Sequence, residues 1–133
     1  MKLETFLWTD DLSIGVTAMD DQHKILIDKI NTLIEDLKSD GPNAHRDYKE
    51  LARYVIEHFE DEENFMESIN YPGLGIHKNI HKQLLEKVGE FEDDIRDGVV
   101  DKVKLVSSLK MWLKSHIMGI DMKYVAHAKT NAA

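Results

Sequence analysis

The chain has 133 residues, no cysteine, and a formal charge of −8 with histidine neutral. That length fits one domain able to bury a core unaided, and the missing thiols exclude disulfides, thiolate zinc sites and cysteine-held iron–sulfur clusters. The acidic balance argues against nucleic acid, whose phosphates need a basic face; no run of about 18 apolar residues marks a membrane span, and no leader-like start marks a signal peptide.

A single domain over 1–133 is therefore expected, soluble and cytoplasmic, with no nucleic-acid or membrane partner. Residues 1–18 read as a non-helical arm whose Phe6, Leu7, Trp8 and Val16 are available to pack on a helical body. From about 19 to 38, His23, Leu26, Ile27, Ile30, Leu33, Ile34 and Leu37 recur on one helical face, opposite Asp21, Lys24, Asp28, Asn31 and Glu35. SDGPN, residues 39–43, should close this helix, Gly41 suiting a left-handed cap and Pro42 being unable to continue the ladder. A second helix, roughly 43–68, turns Tyr48, Leu51, Val55, His58, Phe59, Glu62, Phe65 and Met66 inward, and NYPGLG at 70–75 is the next turn.

The third helix, about 75–96, carries His77, Ile80, His81, Leu84, Val88, Phe91 and Ile95 on its inner face, with Asp97 and Gly98 ending it. The fourth starts near Asp101, a suitable N-cap, and presents Val103, Val106, Leu109, Trp112, Leu113, His116 and Ile117. No strand alternation or short repeat competes with this pattern. Short connections imply antiparallel neighbours, so the expected class is all-α: an up-down-up-down four-helix bundle over about 19–128, preceded by the arm.

One residue on these apolar faces is out of place. Glu62 lies at helical spacing from Val55, His58, Phe59 and Phe65, so it points into the core, where a lone ionised carboxylate is prohibitively costly. Something positive must meet it. Early positions on odd helices and late positions on even helices share one end of an antiparallel bundle, so His23, His58, His77, His81 and His116 converge there. The separations from His23 to His58 and from His81 to His116 are both 35 residues, as two similar helix hairpins would give.

A single histidine on an apolar face is ordinarily a satisfied core residue, and an HxxxH pair also arises on solvated faces. Five histidines with an inward glutamate between them point to a metal instead, since imidazole and carboxylate together bind first-row transition ions. Asp121 is the natural second carboxylate. Five residues after His116, it falls about 140° round an ideal helix, so a bend near Gly119, a helix end or a distorted turn is required there. His45 and His127 read as surface residues, and Met66, Met111, Met118 and Met122 as core filler.

The order His, then HFxxE, then HxxxH, then HxxxxD resembles the hemerythrins, in particular the bacterial hemerythrin-like proteins. The likeness extends to Trp8, Ser13, Ile14, Gly15 and Val16, to Asp20, Asp21, Gln22 and His23, to Tyr71 and Pro72 before HKNIH, and to WLKSHIMGID followed by Tyr124. It implies a non-haem di-iron centre with His77, His81 and His116 on one iron, His23 and His58 on the other, and Glu62 and Asp121 bridging. It also implies a solvent-derived oxo or hydroxo bridge and an open position on the two-histidine iron where dioxygen binds reversibly.

Iron itself follows from the resemblance, because the same donors suit zinc or manganese. A histidine-rich shell with two carboxylates leaves the ions less neutralised than the four-carboxylate shell of ferritin-like sites, which favours binding oxygen over activating it. Leu26, Ile27, Phe59, Trp112, Leu113 and Ile117 are the candidate oxygen pocket, although ordinary core packing would also explain them. Leu113 is placed there by likeness to a pocket leucine of the family. The expected function is dioxygen binding for carriage, storage or delivery to an oxygen-consuming recipient protein. An oxygen or redox sensor, and a di-iron enzyme handling peroxide or nitric oxide, are the alternatives.

Overall fold

A computed structural model describes residues 3–39 and 43–131. Its helices are α1 (Thr17–Lys38), α2 (Asn43–Ser68), α3 (Leu74–Arg96), α4 (Lys102–Ser115) and α5 (Met122–Asn131), with one six-residue π turn, His116–Asp121, joining the last two. There is no strand among the described residues. The all-α bundle expected from periodicity is therefore the observed class, and the first three helices match their expected bounds to within two residues. Gly41 and Pro42, assigned to the end of the first helix, lie outside the described residues.

Each boundary has a local cause. At the end of α2, Asn70 takes a left-handed φ of 53° and Tyr71 N–H reaches back to the Met66 carbonyl at 3.0 Å. The end of α3 repeats the device: Gly98 sits at φ 74° and Val99 N–H donates to Asp94 O at 3.0 Å. These are six-to-one closures that satisfy otherwise orphaned carbonyls. Asp101 caps α4 as expected, its side chain accepting from Lys104 N–H at 3.0 Å. Lys102 Nζ donates to the Leu37 carbonyl at 2.9 Å, placing a cation on the negative end of α1.

The core runs along α1, which packs on α2 and α4, while α2 also packs on α3. Leu26, Ile30, Leu33 and Ile34 of α1 meet Tyr48, Leu51 and Val55 of α2 and Leu105, Val106 and Leu109 of α4, all of them buried. The third helix differs from expectation. Only His77 and His81 are buried on it, and Ile80, Leu84, Val88, Phe91 and Ile95 are half-covered. The reason is that α3 lies close on α2 but stands off from α4, leaving an open groove of about 480 Å³ whose lining includes Leu84, Met111, Trp112 and His116. Met111 and Met118, expected as filler, are 70% and 43% exposed; Met122 is half-covered, and only Met66 is fully buried.

The arm is held by polar contacts as well as apolar ones. Asn31 pairs with the backbone of Phe6 in both directions, accepting from Phe6 N at 2.7 Å and donating to Phe6 O at 2.9 Å. Asp20 accepts from Ile14 N at 2.8 Å and from Ser13 Oγ at 2.6 Å, which fixes the chain as it enters α1. Leu3, Phe6, Leu12 and Ile14 are buried by this course, but Leu7 is 71% exposed, contrary to its expected packing role. The arm also contains a short 3₁₀ turn, Asp10–Leu12, and so is not wholly non-helical. No helix among the described residues is long and apolar enough to cross a membrane.

Replacing Asn31 by alanine removes both links to Phe6 and leaves a half-buried backbone pair unanswered. At roughly 0.5–1.5 kcal/mol per hydrogen bond, urea unfolding of Asn31→Ala should show a loss of about 1–3 kcal/mol, with earlier proteolysis near residues 3–8. An unchanged unfolding midpoint would mean that the arm contributes nothing to stability.

Candidate metal centre

His23 comes from α1, His58 and Glu62 from α2, His77 and His81 from α3, and His116 and Asp121 from the π turn; all seven side chains are buried. In each α-helical pair, the four-residue offset puts both groups on one face: His58 with Glu62, and His77 with His81. The required distortion between His116 and Asp121 is the π turn, whose i to i+5 bonding widens the helix so that residues five apart align. Gly119 is not needed to make room for it, since a methyl group there would meet nothing within 4 Å.

The ligand atoms fall into two overlapping sets. Glu62, His77, His81 and His116 form one, His23, His58, Glu62 and Asp121 the other, with the ligand atoms within 4.8 Å of one another in each. Glu62 belongs to both. Its Oε1 lies 2.9 Å from His77 Nε2, 2.9 Å from His81 Nε2 and 3.4 Å from His116 Nε2, while its Oε2 lies 3.4 Å from His58 Nε2 and 3.9 Å from His23 Nε2. Asp121 divides in the same way, Oδ1 standing 3.1 Å from His116 Nε2 and 3.4 Å from His77 Nε2, and Oδ2 3.3 Å from His23 Nε2. Each carboxylate thus offers one oxygen to each histidine set.

These distances test whether an ion fits. Ligands about 2.0–2.2 Å from a common ion stand roughly 2.8–3.6 Å from one another, the range of the Glu62 contacts to His58, His77, His81 and His116 and of the Asp121 contact to His23. His23 Nε2, His58 Nε2 and both Asp121 oxygens are buried without a hydrogen bond among the described residues, and His81 Nε2 stands 3.2 Å from His116 Nε2. Two imidazole nitrogens that close favour a shared proton or cation between them. The donor set, five neutral nitrogens and two carboxylates, suits first-row divalent ions.

Charge follows the same logic in the metal-free protein. Burial alone would raise the Glu62 carboxyl, but the imidazoles of His116, His23, His58 and His77 facing it hold it well below the usual range. Burial and the neighbouring Glu62 push Asp121 up, and His116, His23 and His77 bring it down to a net depression. Burial would lower His116, yet Asp121 and Glu62 raise it to about 10. His23 and His77 are raised by the same two carboxylates against the same burial.

The oxygen-pocket candidates are divided. Phe59 stacks on the His81 ring at 3.7 Å between centroids and 3° between planes, and its ring also neighbours His116 and His58. Leu26, Ile27, Leu113 and Ile117 are buried in the core, whereas Trp112 is half-covered and lines the open groove. His45 is half-covered, 3.8 Å from Glu92. His127, read as a surface residue, is half-covered on α5, with Nε2 3.1 Å from the Ile69 carbonyl.

Sequence reasoning passed over three contacts of the site. Tyr124 donates its hydroxyl to Glu62 Oε2 at 3.2 Å, while Gln22 and Glu63 meet His58 and His81. Tyr124 and Gln22 were visible only as parts of the family resemblance. Glu63 looked like one more charge in an acidic run.

Comparison with known proteins agrees with this geometry. The family model described as "Hemerythrin HHE cation binding domain" matches residues 14–128. The bacteriohemerythrin of Stenotrophomonas maltophilia is 30% identical over 126 residues, covering 94% of this chain and 82% of that protein. A Pseudomonas aeruginosa bacteriohemerythrin is 32% identical over 120 residues, 90% of this chain and 78% of its own. The myohemerythrin of Theromyzon tessulatum is 30% identical over 121 residues, 91% and 92% respectively.

The shifted groups set a pH window for the metal-free form. A histidine raised from 6.5 to about 10 contributes stability that is full below pH 6.5 and is lost as pH rises through about 10. Carboxyls depressed from 4.5 and 3.8 contribute above those values and lose their contribution as pH falls. Scanning calorimetry of chelator-stripped protein should find maximal melting temperature between about pH 4.5 and 6.5, with a decline toward pH 10. A melting temperature rising from pH 6.5 to 10 would contradict the arrangement.

Proposed function

The chain belongs to the hemerythrin family, and on that premise we propose that it binds dioxygen reversibly at a non-haem di-iron centre, for carriage, storage or delivery. His77, His81 and His116 would hold one iron, His23 and His58 the other, with Glu62 and Asp121 shared between them and an oxo or hydroxo group completing the bridge. The observation that supports this most directly is the division of each carboxylate, one oxygen facing the three-histidine set and the other the two-histidine set. A single-ion site has no use for two such bridges.

Iron supplies the reversible electron transfer that lets dioxygen be held and released. The chain supplies the rest. Five imidazoles and two carboxylates incompletely cancel the charge of two ions, which moderates their oxidation and suits binding over activation. Unequal numbers of histidines would give the ion on the His23 and His58 side one donor fewer. Phe59, packed flat on His81 with its ring also beside His58, and the buried Leu26, Ile27, Leu113 and Ile117 would keep water and protons from the centre. The Tyr124 hydroxyl, its pKa raised by burial and then by Glu62 and Asp121, stays a neutral donor to Glu62.

The test is to load the protein with iron, reduce it without air, admit oxygen and then remove it while recording the absorption spectrum. About two irons per chain and a coloured state that comes and goes with oxygen are expected. Rapid catalytic oxygen consumption with no reversible adduct would overturn the reading in favour of an enzyme. Glu62→Ala should lose at least one iron and the reversible colour; retention of both with an unaltered spectrum would remove Glu62 from the centre.

A further inference from the structure

His81 and His58 turn their outer ring nitrogens to chemically different neighbours. His81 Nδ1 lies 2.7 Å from Glu63 Oε2. A carboxylate only accepts, so Nδ1 carries a proton, and with an ion in the centre Nε2 would be left to present its lone pair. His58 Nδ1 lies 2.6 Å from Gln22 Oε1. The orientation of that amide is set from behind, because Gln22 Nε2 donates to Asp61 Oδ2 at 2.9 Å and only the oxygen is left for His58. Both rings are thereby fixed in the tautomer a metal needs.

The two carboxylates responsible flank Glu62 in sequence. Successive residues on a helix are about 100° apart, so Asp61 and Glu63 leave α2 on either side of the residue that enters the centre. Asp61 turns toward α1 and reaches Gln22; Glu63 turns toward α3 and reaches His81. The difference lies in how far the negative charge stands from each ring. Glu63 meets His81 directly, whereas Asp61 stands one neutral amide away from His58.

We propose that Asp61 and Glu63 are positioning residues that make the two metal positions electronically unequal. Resting on the di-iron reading above, the inference is that Glu63 gives His81 partial imidazolate character and lowers the potential of the three-histidine ion. Gln22 leaves His58 a neutral donor, so the two-histidine ion keeps the higher potential. Outer partners of this kind orient a ligating histidine and raise its basicity, and a charged acceptor does so more strongly than a neutral one. The Glu63 side chain is 24% exposed, so its effect is reduced by solvent but not abolished.

The experiment compares the intact iron-loaded chain with Glu63→Gln, Glu63→Ala and the double variant Gln22→Glu with Asp61→Asn, which moves one negative charge inward without changing the total. Iron content is measured first: failure of the unaltered protein to take up two irons sinks the di-iron reading and this inference with it. With two irons present, redox titration should place Glu63→Gln above the unaltered protein by the equivalent of a tenfold change in the oxidised-to-reduced ratio, about 59 mV for one electron. The double variant should shift downward. Glu63→Ala should lose about 10–100-fold in zinc affinity by chelator competition, with Glu63→Gln recovering most of that loss while keeping its shifted potential. Should the double variant not fold, the Glu63→Gln and Glu63→Ala pair decides. Unmoved potentials, or shifts of the same sign in Glu63→Gln and the double variant, would overturn the proposal while leaving the di-iron reading intact.

Discussion

Two carboxylates buried side by side are the constraint around which this molecule is built. Glu62 and Asp121 are both fully inaccessible, and such a pair survives in a hydrocarbon core only if cations are supplied from several directions. The bundle supplies them from α1, α2, α3 and the π turn. Four separate segments bring imidazole nitrogen to within 4 Å of one of these oxygens, so the helices cannot slide independently without exposing an uncompensated charge. The apolar stripes provide cohesion, and the polar cluster fixes the register in which they cohere.

Local conformation answers to the same demand. An uninterrupted α-helix through residues 102–131 would carry Asp121 away from the face that His116 occupies. The π turn brings them together at the cost of one irregular stretch in an otherwise regular element. That distortion sits beside the centre it serves, as does the acidic run Glu60, Asp61, Glu62 and Glu63 on the facing helix. Elsewhere the chain follows ordinary capping and closure, as at Asp101, Asn70 and Gly98.

Helix positions and the convergence of five histidines were legible in the sequence because both depend only on period and direction. Apolar residues at 3.6 spacing mark a face, and alternating helices bring matched ends together. The need for a distortion between His116 and Asp121 was likewise evident from the helical angle, though its π form was not. Exposure was less legible. Leu7, Met111 and Met118 looked like core by type, yet the docked arm and helices leave all three exposed, Met111 on the open groove beside α3. The roles of Glu63 and Gln22 were hidden for a different reason: a polar residue on a solvated face and one aimed at a histidine across the interface are identical letters until the helices are docked.

The seam between α3 and α4 ties these points together. It is an open junction, its side chains half-covered along a groove, yet His77 and His81 stand on one bank and His116 on the other. An ion gripped by all three would act as a rivet where hydrocarbon fastens little. Stiffness of that seam would then track occupancy, and the emptied protein would gape along one edge while its opposite wall, α1 against α2, stayed shut.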